Sequence, residues 1–461
     1  NFFFYFFLQN HFYLSLNRFI SCFFFECVII KYMWGCFFMN EMEKQFLKII
    51  DEELVFALGC TEPTAYALAS ARCKEILGGF PDKIIVRSSG NMIKNVQGVV
   101  IPHTGGVRVI NNVVILGALI GNSAEGLKVL DAATPKLIEK TKELESKGIC
   151  SYSRKDTDAK LYVEIEMHKG KDLAIVELMH THTNITRIVR NEIEITHNPC
   201  SADDFNSSLT NRSELTVKRI YDFIESVDYL ELKKILEKQL VYNSAIATEG
   251  LTNEWGINVG KAIQNCGNSD GLSDMMRAGA AAGSDARMSG CDLPVVINSG
   301  SGNQGMTIGI PIHIYAEEKR ISEEQKYRAL AMANLIPIHI KTSIGRLSAF
   351  CGAVTAAIGV GCALAYLEGG NINQVENTIK NSIANLTGVI CDGAKSSCAL
   401  KIASSLDAAF LAKTLAMANR VVESGTGIIK EDIEDTICNM VHIAADAMNE
   451  TDEMIIDIMS R

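Results

Sequence analysis

The sequence predicts an α+β fold: a mixed α/β N-terminal half with a small antiparallel sheet, packed on a mostly helical, Ala/Gly-rich C-terminal domain. Three observations carry this expectation. Lys160–His168, Asp172–His180 and Asn184–Arg190 are successive runs of β-branched and other apolar residues, the first two divided by the turn His168-Lys-Gly-Lys171. From Ser213 onward apolar residues recur at helical spacing instead. Alanine and glycine concentrate in those later runs, as in Ala278–Ala282, Ala353–Ala365 and Leu411–Ala418, and small residues let helices approach closely.

Taken in order, residues 1–41 stand apart. They hold most of the 19 phenylalanines and begin without methionine. Their apolar content suits a signal or anchor, yet Gln9, Asn10, His11, Asn17 and Arg18 interrupt it and no clean cleavage site follows. Phe, Asn, Ile, Tyr and Lys are residues that AT-rich DNA encodes. The expectation is therefore a spurious N-terminal extension with the true start at Met42; an N-terminal anchor is the alternative.

Residues 42–200 are expected to form an α+β domain. Met42–Leu58 is helical in period, with Phe46, Ile49, Ile50, Leu54 and Ala57 on one face and Gly59 as its stop. A second helix starts at Thr61, where Pro63 falls in the first turn and costs no hydrogen bond, and ends at Gly78-Gly79. Lys83–Arg87 reads as a strand, a glycine-rich region follows to Gly106, and Leu127–Lys147 reads as helix. Asn198–Ser208 is a polar linker. Residues 213–461 form the helical domain, opening with Val217–Val227, Tyr229–Gln239 and Ser244–Gln264.

Composition narrows the function. With 461 residues and 48% hydrophobic content the chain can bury a large core. A net charge of -10 excludes a nucleic-acid partner, whose phosphates require a basic surface. No membrane partner is expected, and a homo-oligomer is compatible with everything here. Fourteen cysteines in a chain this well supplied with aliphatic residues need not be disulfides, and a cytoplasmic location is expected. No Cys-x-x-Cys pair occurs, so zinc ribbons and the clustered ferredoxin pattern are not supported.

Three cysteines share a local setting. Cys60 precedes Thr61-Glu62-Pro63 at the mouth of the second helix. Cys351 precedes Gly352-Ala353, and Cys391 precedes Asp392-Gly393-Ala394-Lys395. Each is expected at or beside a helix N-terminus, where the partial positive charge favours a thiolate. Three thiolates on a [4Fe-4S] cluster leave one iron open to substrate. The bland alternative is a buried cysteine acting as a small hydrophobe, and Cys73, Cys362, Cys398 and Cys438, inside helical runs, are assigned to it.

At these same positions the sequence resembles the L-cysteine desulfidase family, relatives of the iron–sulfur L-serine dehydratases. Gly59-Cys60-Thr61-Glu62-Pro63-Thr64, Ser299-Gly300-Ser301-Gly302-Asn303-Gln304-Gly305, Cys351-Gly352-Ala353 and Cys391-Asp392-Gly393-Ala394-Lys395 carry the resemblance, which runs from about Met42 to the C-terminus. It implies a [4Fe-4S] cluster on Cys60, Cys351 and Cys391, no pyridoxal phosphate, and conversion of L-cysteine to pyruvate, ammonia and hydrogen sulfide by α,β-elimination. L-serine dehydration by the same chemistry is the alternative, and a non-catalytic iron–sulfur sensor is a third.

The loop Ser299–Gly305 packs hydroxyls, amides and glycines together and can offer N–H groups to an anion. Ser299, Ser301, Asn303 and Gln304 are the expected contacts to the amino-acid carboxylate, with Thr61 and Glu62 beside them. A glycine-rich turn serving helix packing is the alternative. Candidate acid–base groups are His103, His182 and Lys395. Lys395, four residues after Cys391, is expected on the same helical side as the thiol. Arg277 and Arg287 are read as carboxylate partners or structural ion pairs.

Overall fold

The computed structural model describes residues 39–100, 110–198, 200–201, 205–206, 209–266 and 271–460. The expectations for residues 1–38 and for His103 fall outside that set. Helix α1 (Glu41–Glu53) starts where Asn40 and Glu43 cap one another reciprocally, Glu43 N donating to Asn40 Oδ1 at 2.8 Å and Asn40 N to Glu43 Oε2 at 3.1 Å. The helix stops five residues before the predicted Leu58. Strand β1 (Phe56–Leu58) takes over, because Phe56, Ala57 and Leu58 pair antiparallel with a strand nearly 240 residues away. Local periodicity held no sign of that pairing. Gly59 keeps its punctuating role at φ 62°, turning the chain into α2 (Thr61–Leu77).

The sheet is larger than the sequence suggested, and mixed. It contains β2 (Lys83–Ser88), β3 (Cys150–Arg154), β4 (Tyr162–Lys169), β5 (Asp172–Met179), β6 (Ile185–Arg190) and β7 (Ile193–His197) in the order β3-β2-β4-β5-β6-β7. All neighbours are antiparallel except β2 and β3. Ile84 and Val86, Val163, Ile165 and Met167, and Ala174, Val176 and Leu178 alternate onto one face and are fully buried. Each large aliphatic side chain so buried contributes about 1.5–3 kcal/mol. Helix α2 covers this face, its Cys73 thiol 3.4 Å from the Ile165 and Ala174 carbonyls. Cys73 is thus a core residue, as expected.

Between these strands lie α3 (Gly90–Val96), α4 (Ile110–Ile120), a 3-10 segment (Ser123–Ala132) and α5 (Pro135–Ser146). The single helix expected over Leu127–Lys147 is divided at Thr134, which caps α5 through its side chain with Pro135 behind it. Helix α4 crosses α2 at Gly117, where a Cβ would come within 2.4 Å of the Ala67 carbonyl oxygen. Only glycine admits that approach.

The rest of the chain is helical: α6 (Val217–Ser226), α7 (Tyr229–Thr252), α8 (Val259–Asn265), α9 (Leu272–Met288), the short β8 (Pro294–Val296) that pairs with β1, α10 (Gly302–Glu318), α11 (Glu323–Ile344), α12 (Gly352–Leu367), α13 (Ile372–Leu386), α14 (Cys398–Met417), α15 (Ile433–His442) and α16 (Met448–Ser460). Tyr229–Gln239 and the start of the predicted Ser244–Gln264 merge into α7, since nothing between Gln239 and Ser244 breaks a helix, but the predicted second helix is itself broken after Thr252 and its end forms α8. The small-residue runs lie where helices cross. A Cβ on Gly250 of α7 would come 2.0 Å from the Ala282 carbonyl of α9, and one on Gly359 of α12 2.4 Å from that of Ala333 in α11. Helix α12 is buried from Ala353 to Ala365 at the centre of the helical layer. Leu47–Arg461 forms one unit. Among the described residues no single helix is long and apolar enough to cross a membrane, although α4 and the following 3-10 segment, bent by 113°, pass that test as a pair.

Candidate active site

Four chain segments converge on a cavity of about 90 Å³. The first is the entry to α2, where Cys60 is the N-cap residue and Thr61 and Glu62 form the first turn. The second is the loop before α10. Ser299 and Gly300 both adopt positive φ (48° and 81°), a turn that lets Ser301 cap the helix. The third and fourth are residues 349–351 and 389–391, joined by a short antiparallel bridge between Phe350 and Ile390. Cys351 N donates to the Val389 carbonyl at 3.0 Å, and Cys391 N to that of Ala349 at 2.6 Å. This backbone pairing is what brings two distant cysteines to one wall.

Cys60, Cys351 and Cys391 all line the cavity, and Cys398 joins them. Cys60 and Cys351 occupy the helix-capping positions expected of them. Cys391 does not: it lies on a loop, and α14 begins only at Cys398. Gly393, at φ 98°, and the residues after it delay the helix, so the thiol at its mouth is Cys398 rather than Cys391. The core role assigned to Cys398 is thereby corrected. Its signal in the sequence was the unhelical Asp392-Gly393 and the serine pair before it.

The thiols fall into two electrostatic groups. Burial pushes the Cys351 thiol up to about 12, and negative charge on Cys391 and Cys398 adds to the effect. Burial likewise raises Cys398, again with Cys391 contributing. Cys60 is raised well above its ordinary value by burial and then by Glu62. Its thiol donates to Glu62 Oε2 at 2.8 Å. Among the described residues no three His, Cys, Asp or Glu side chains converge closely enough to hold a single metal ion.

Charged groups complete the wall. Glu62 is buried, and burial opposes its ionisation, yet His182, Cys60 and Asn95 outweigh that and hold the carboxyl well below the usual carboxylate range. Asn95 Nδ2 donates to Glu62 Oε1 at 2.9 Å. Arg287, 2% exposed, donates Nε–H to the Gly59 carbonyl at 3.0 Å and an Nη1–H to Asn303 Oδ1 at 3.2 Å. No carboxylate pairs with it among the described residues. Lys341, from α11, also lines the cavity; burial lowers its amino group to about 8, while Cys391 and Cys351 pull it upward. Lys341 was not anticipated, whereas Arg287 was expected as a carboxylate partner or a structural ion pair and lines the cavity.

The other expected residues divide. Thr61, Glu62, Ser301, Asn303 and Gln304 line the cavity. The Thr61 hydroxyl sits 3.0 Å from both Glu62 Oε2 and the Gly300 carbonyl, tying two segments together. Ser299 does not line it: its hydroxyl donates to Asn298 Oδ1 at 2.9 Å, and it borders a smaller neighbouring cavity. His182 stands behind Glu62, its buried Nε2 without a hydrogen bond and 3.9 Å from Glu62 Oε1, within ion-pair reach only. Lys395 precedes α14 and pairs with Asp392 at 3.1 Å, away from the cavity lining, so the helical side it was expected to share with Cys391 does not exist. Arg277 pairs with Asp274 and Asp407, the structural role expected of it.

A family model described as serine dehydratase alpha chain matches residues 124–457. That span contains Cys351, Cys391 and Cys398 but not Cys60. A UPF0597 protein of Fusobacterium nucleatum is 45% identical over 429 residues, covering 92% of this chain and 100% of the relative. UPF0597 proteins of Lachnoclostridium phytofermentans (45% over 418 residues, 91% and 100%) and Treponema denticola (42% over 420 residues, 90% and 97%) are similarly related. Such a family points to a lyase-type enzyme with dehydratase-like activity on a small molecule, of a kind that often uses iron–sulfur clusters. The chain belongs to the serine dehydratase alpha chain family.

Proposed function

We propose that this protein is a cytoplasmic L-cysteine desulfidase that eliminates hydrogen sulfide from L-cysteine, with L-serine dehydration as the second reading because the family model is that of a serine dehydratase. The observation that carries the proposal is a single cavity holding mutually interacting thiols together with Arg287 and an ionised Glu62. The described cysteines are free thiols, as a reducing compartment requires.

The donor set suits a [4Fe-4S] cluster. Negative charge at Cys391 raises the proton affinity of Cys351 and Cys398, so the thiols of this wall ionise together only when positive charge joins them, and all three line one cavity. Cys351, Cys391 and Cys398 would hold the cluster, Cys398 replacing Cys60 from the sequence-based set. When bound, the cluster supplies a Lewis-acidic iron that stabilises the leaving sulfide or hydroxide.

The chain's own residues handle the rest of the substrate. Arg287 receives the α-carboxylate, and Glu62, kept ionised, receives the α-ammonium. Lys341 takes the Cα proton, since burial leaves a useful fraction of its amine neutral near neutral pH. Asn95 and His182 hold Glu62 in place. The departing 2-aminoacrylate tautomerises to an imine and takes up water to give pyruvate and ammonia. Anaerobic purification with iron and sulfide analysis, followed by pyruvate assays on L-cysteine and L-serine, tests the reading. Pyruvate from L-cysteine by an iron-loaded chain is the expected result; pyruvate from L-serine alone selects the second reading, and an iron-loaded chain forming no pyruvate from either overturns both.

A further inference from the structure

Helix α3 is seven residues long, wholly buried, and carries three polar side chains that tie it to distant parts of the molecule. Asn95 reaches Glu62. Asn91 Nδ2 donates to Asp452 Oδ2 of α16 at 2.7 Å. Lys94 Nζ pairs with Asp452 Oδ1 at 2.5 Å and also donates to the main-chain carbonyl of Cys391 at 3.2 Å. The side chains of Lys94 and Asp452 are 1% and 2% exposed. The backbones are seated on one another at the same place: a Cβ on Gly393 would come within 2.5 Å of the Lys94 carbonyl, and one on Gly98 within 2.8 Å of that of Ala394.

An ammonium buried this deeply needs a carboxylate partner, or it leaves its site or loses its charge. Asp452 supplies that partner from the C-terminal helix. One of the remaining ammonium protons then goes to the carbonyl of the cysteine itself. The loop Cys391–Ser397 has no regular secondary structure, and its glycine at φ 98° gives it latitude. The bridge at Ile390 holds it on one side and Lys94 on the other, while Lys395 and Lys401 pair with its Asp392.

We propose that Lys94, locked by Asp452 of the C-terminal helix, is a positioning residue that sets the Cys391 loop in the geometry its thiol needs to bind metal. The proposal rests on the reading that Cys391 is a cluster ligand. Partners one layer behind metal ligands commonly govern affinity by about 10–100-fold. The C-terminal helix is on this view part of the metal site without touching it.

The test uses the full chain, iron-loaded under anaerobic conditions, and measures iron loss to a chelator alongside the melting temperature. Lys94→Met strands Asp452 and will lower stability as well as iron retention. The double variant Lys94→Met/Asp452→Asn removes both buried charges, keeps an acceptor for Asn91, and is expected to regain the melting temperature while losing iron about 10–100-fold faster than the wild type. A double variant with wild-type melting and wild-type iron retention overturns the proposal, leaving the pair a purely structural one. Should the wild-type chain take up no iron, the cluster reading fails separately. Alkylation of the iron-free chain, mapped by mass spectrometry, then decides: Cys391 labelled several-fold faster in the double variant with Cys351 unchanged supports the clamp, and equal labelling refutes it.

Discussion

Arg287 is the residue on which substrate recognition depends most directly. A guanidinium has five N–H donors. Among the described residues, one serves the Gly59 carbonyl and one serves Asn303, which leaves three for a ligand in the cavity. A substrate carboxylate can take two of them side by side. Hydrogen bonds to charged groups contribute about 1.5–3 kcal/mol each, so loss of the pair removes about 3 kcal/mol or more. That corresponds to at least about a hundredfold in kcat/KM. Arg287→Met is therefore expected to lower kcat/KM for L-cysteine by that factor, chiefly through KM, because the carboxylate is equally charged in ground and transition states. The substitution also strands the Gly59 carbonyl, so pyruvate assays need melting curves beside them. Cysteamine, which lacks the carboxylate, provides the control: its binding to wild type and variant should be alike. A folded Arg287→Met chain with kcat/KM within threefold of wild type would refute the carboxylate assignment and leave Arg287 as a brace between Gly59 and Asn303.

Three further outcomes are expected. Single Cys→Ser substitutions at 351, 391 and 398 should each abolish bound iron, whereas Cys60→Ser should keep it; iron retained by Cys398→Ser and lost by Cys60→Ser would restore Cys60 as the third ligand. Lys341→Met should lower kcat by about 10²–10⁴-fold and stop exchange of the substrate Cα proton with heavy water; undiminished exchange would remove Lys341 from the role of base. Glu53 is buried between Arg346, forked at 2.9 Å to both carboxylate oxygens, and Arg212. Burial opposes its charge, but the two guanidiniums prevail and lower its pKa. Removing one partner of such a buried network costs about 3–5 kcal/mol, so Glu53→Gln should lose about that much stability at neutral pH. Because the folded pKa is the depressed one, the difference from wild type should hold above the unfolded value of about 4.3 and vanish as pH falls through the folded value. Denaturant titrations at several pH values measure it, and a pH-independent difference would contradict the ion-pair origin.

Local chemistry made much of this legible in the sequence. The strands β4, β5 and β6, the start of α2 at Thr61 and the capping positions of Cys60 and Cys351 depend on neighbours a few residues away. Alternation, Pro63 and Gly78 act over that range and were read correctly, whereas Gly59 follows β1 and does not end the first helix. The alanine and glycine runs also announced close helix packing, though not which helices would meet. Five of the six expected substrate contacts line the cavity because they belong to two short contiguous segments.

What only the tertiary structure decided are the relations between segments far apart in the chain. Strand β1 exists because β8 is there to pair with it, and periodicity alone made it helix. Cys351 and Cys391 meet through one backbone bridge, and Cys398 enters the cavity because Gly393 postpones α14. Lys341 looked like an ordinary helix residue, and Arg287 as much like half of a structural ion pair as a carboxylate partner, until burial in the cavity wall set them apart. A sequence records which groups a residue carries, and local rules follow from that. Desolvation, charge coupling and backbone pairing depend on which distant groups arrive beside it, and that is settled only when the chain has folded.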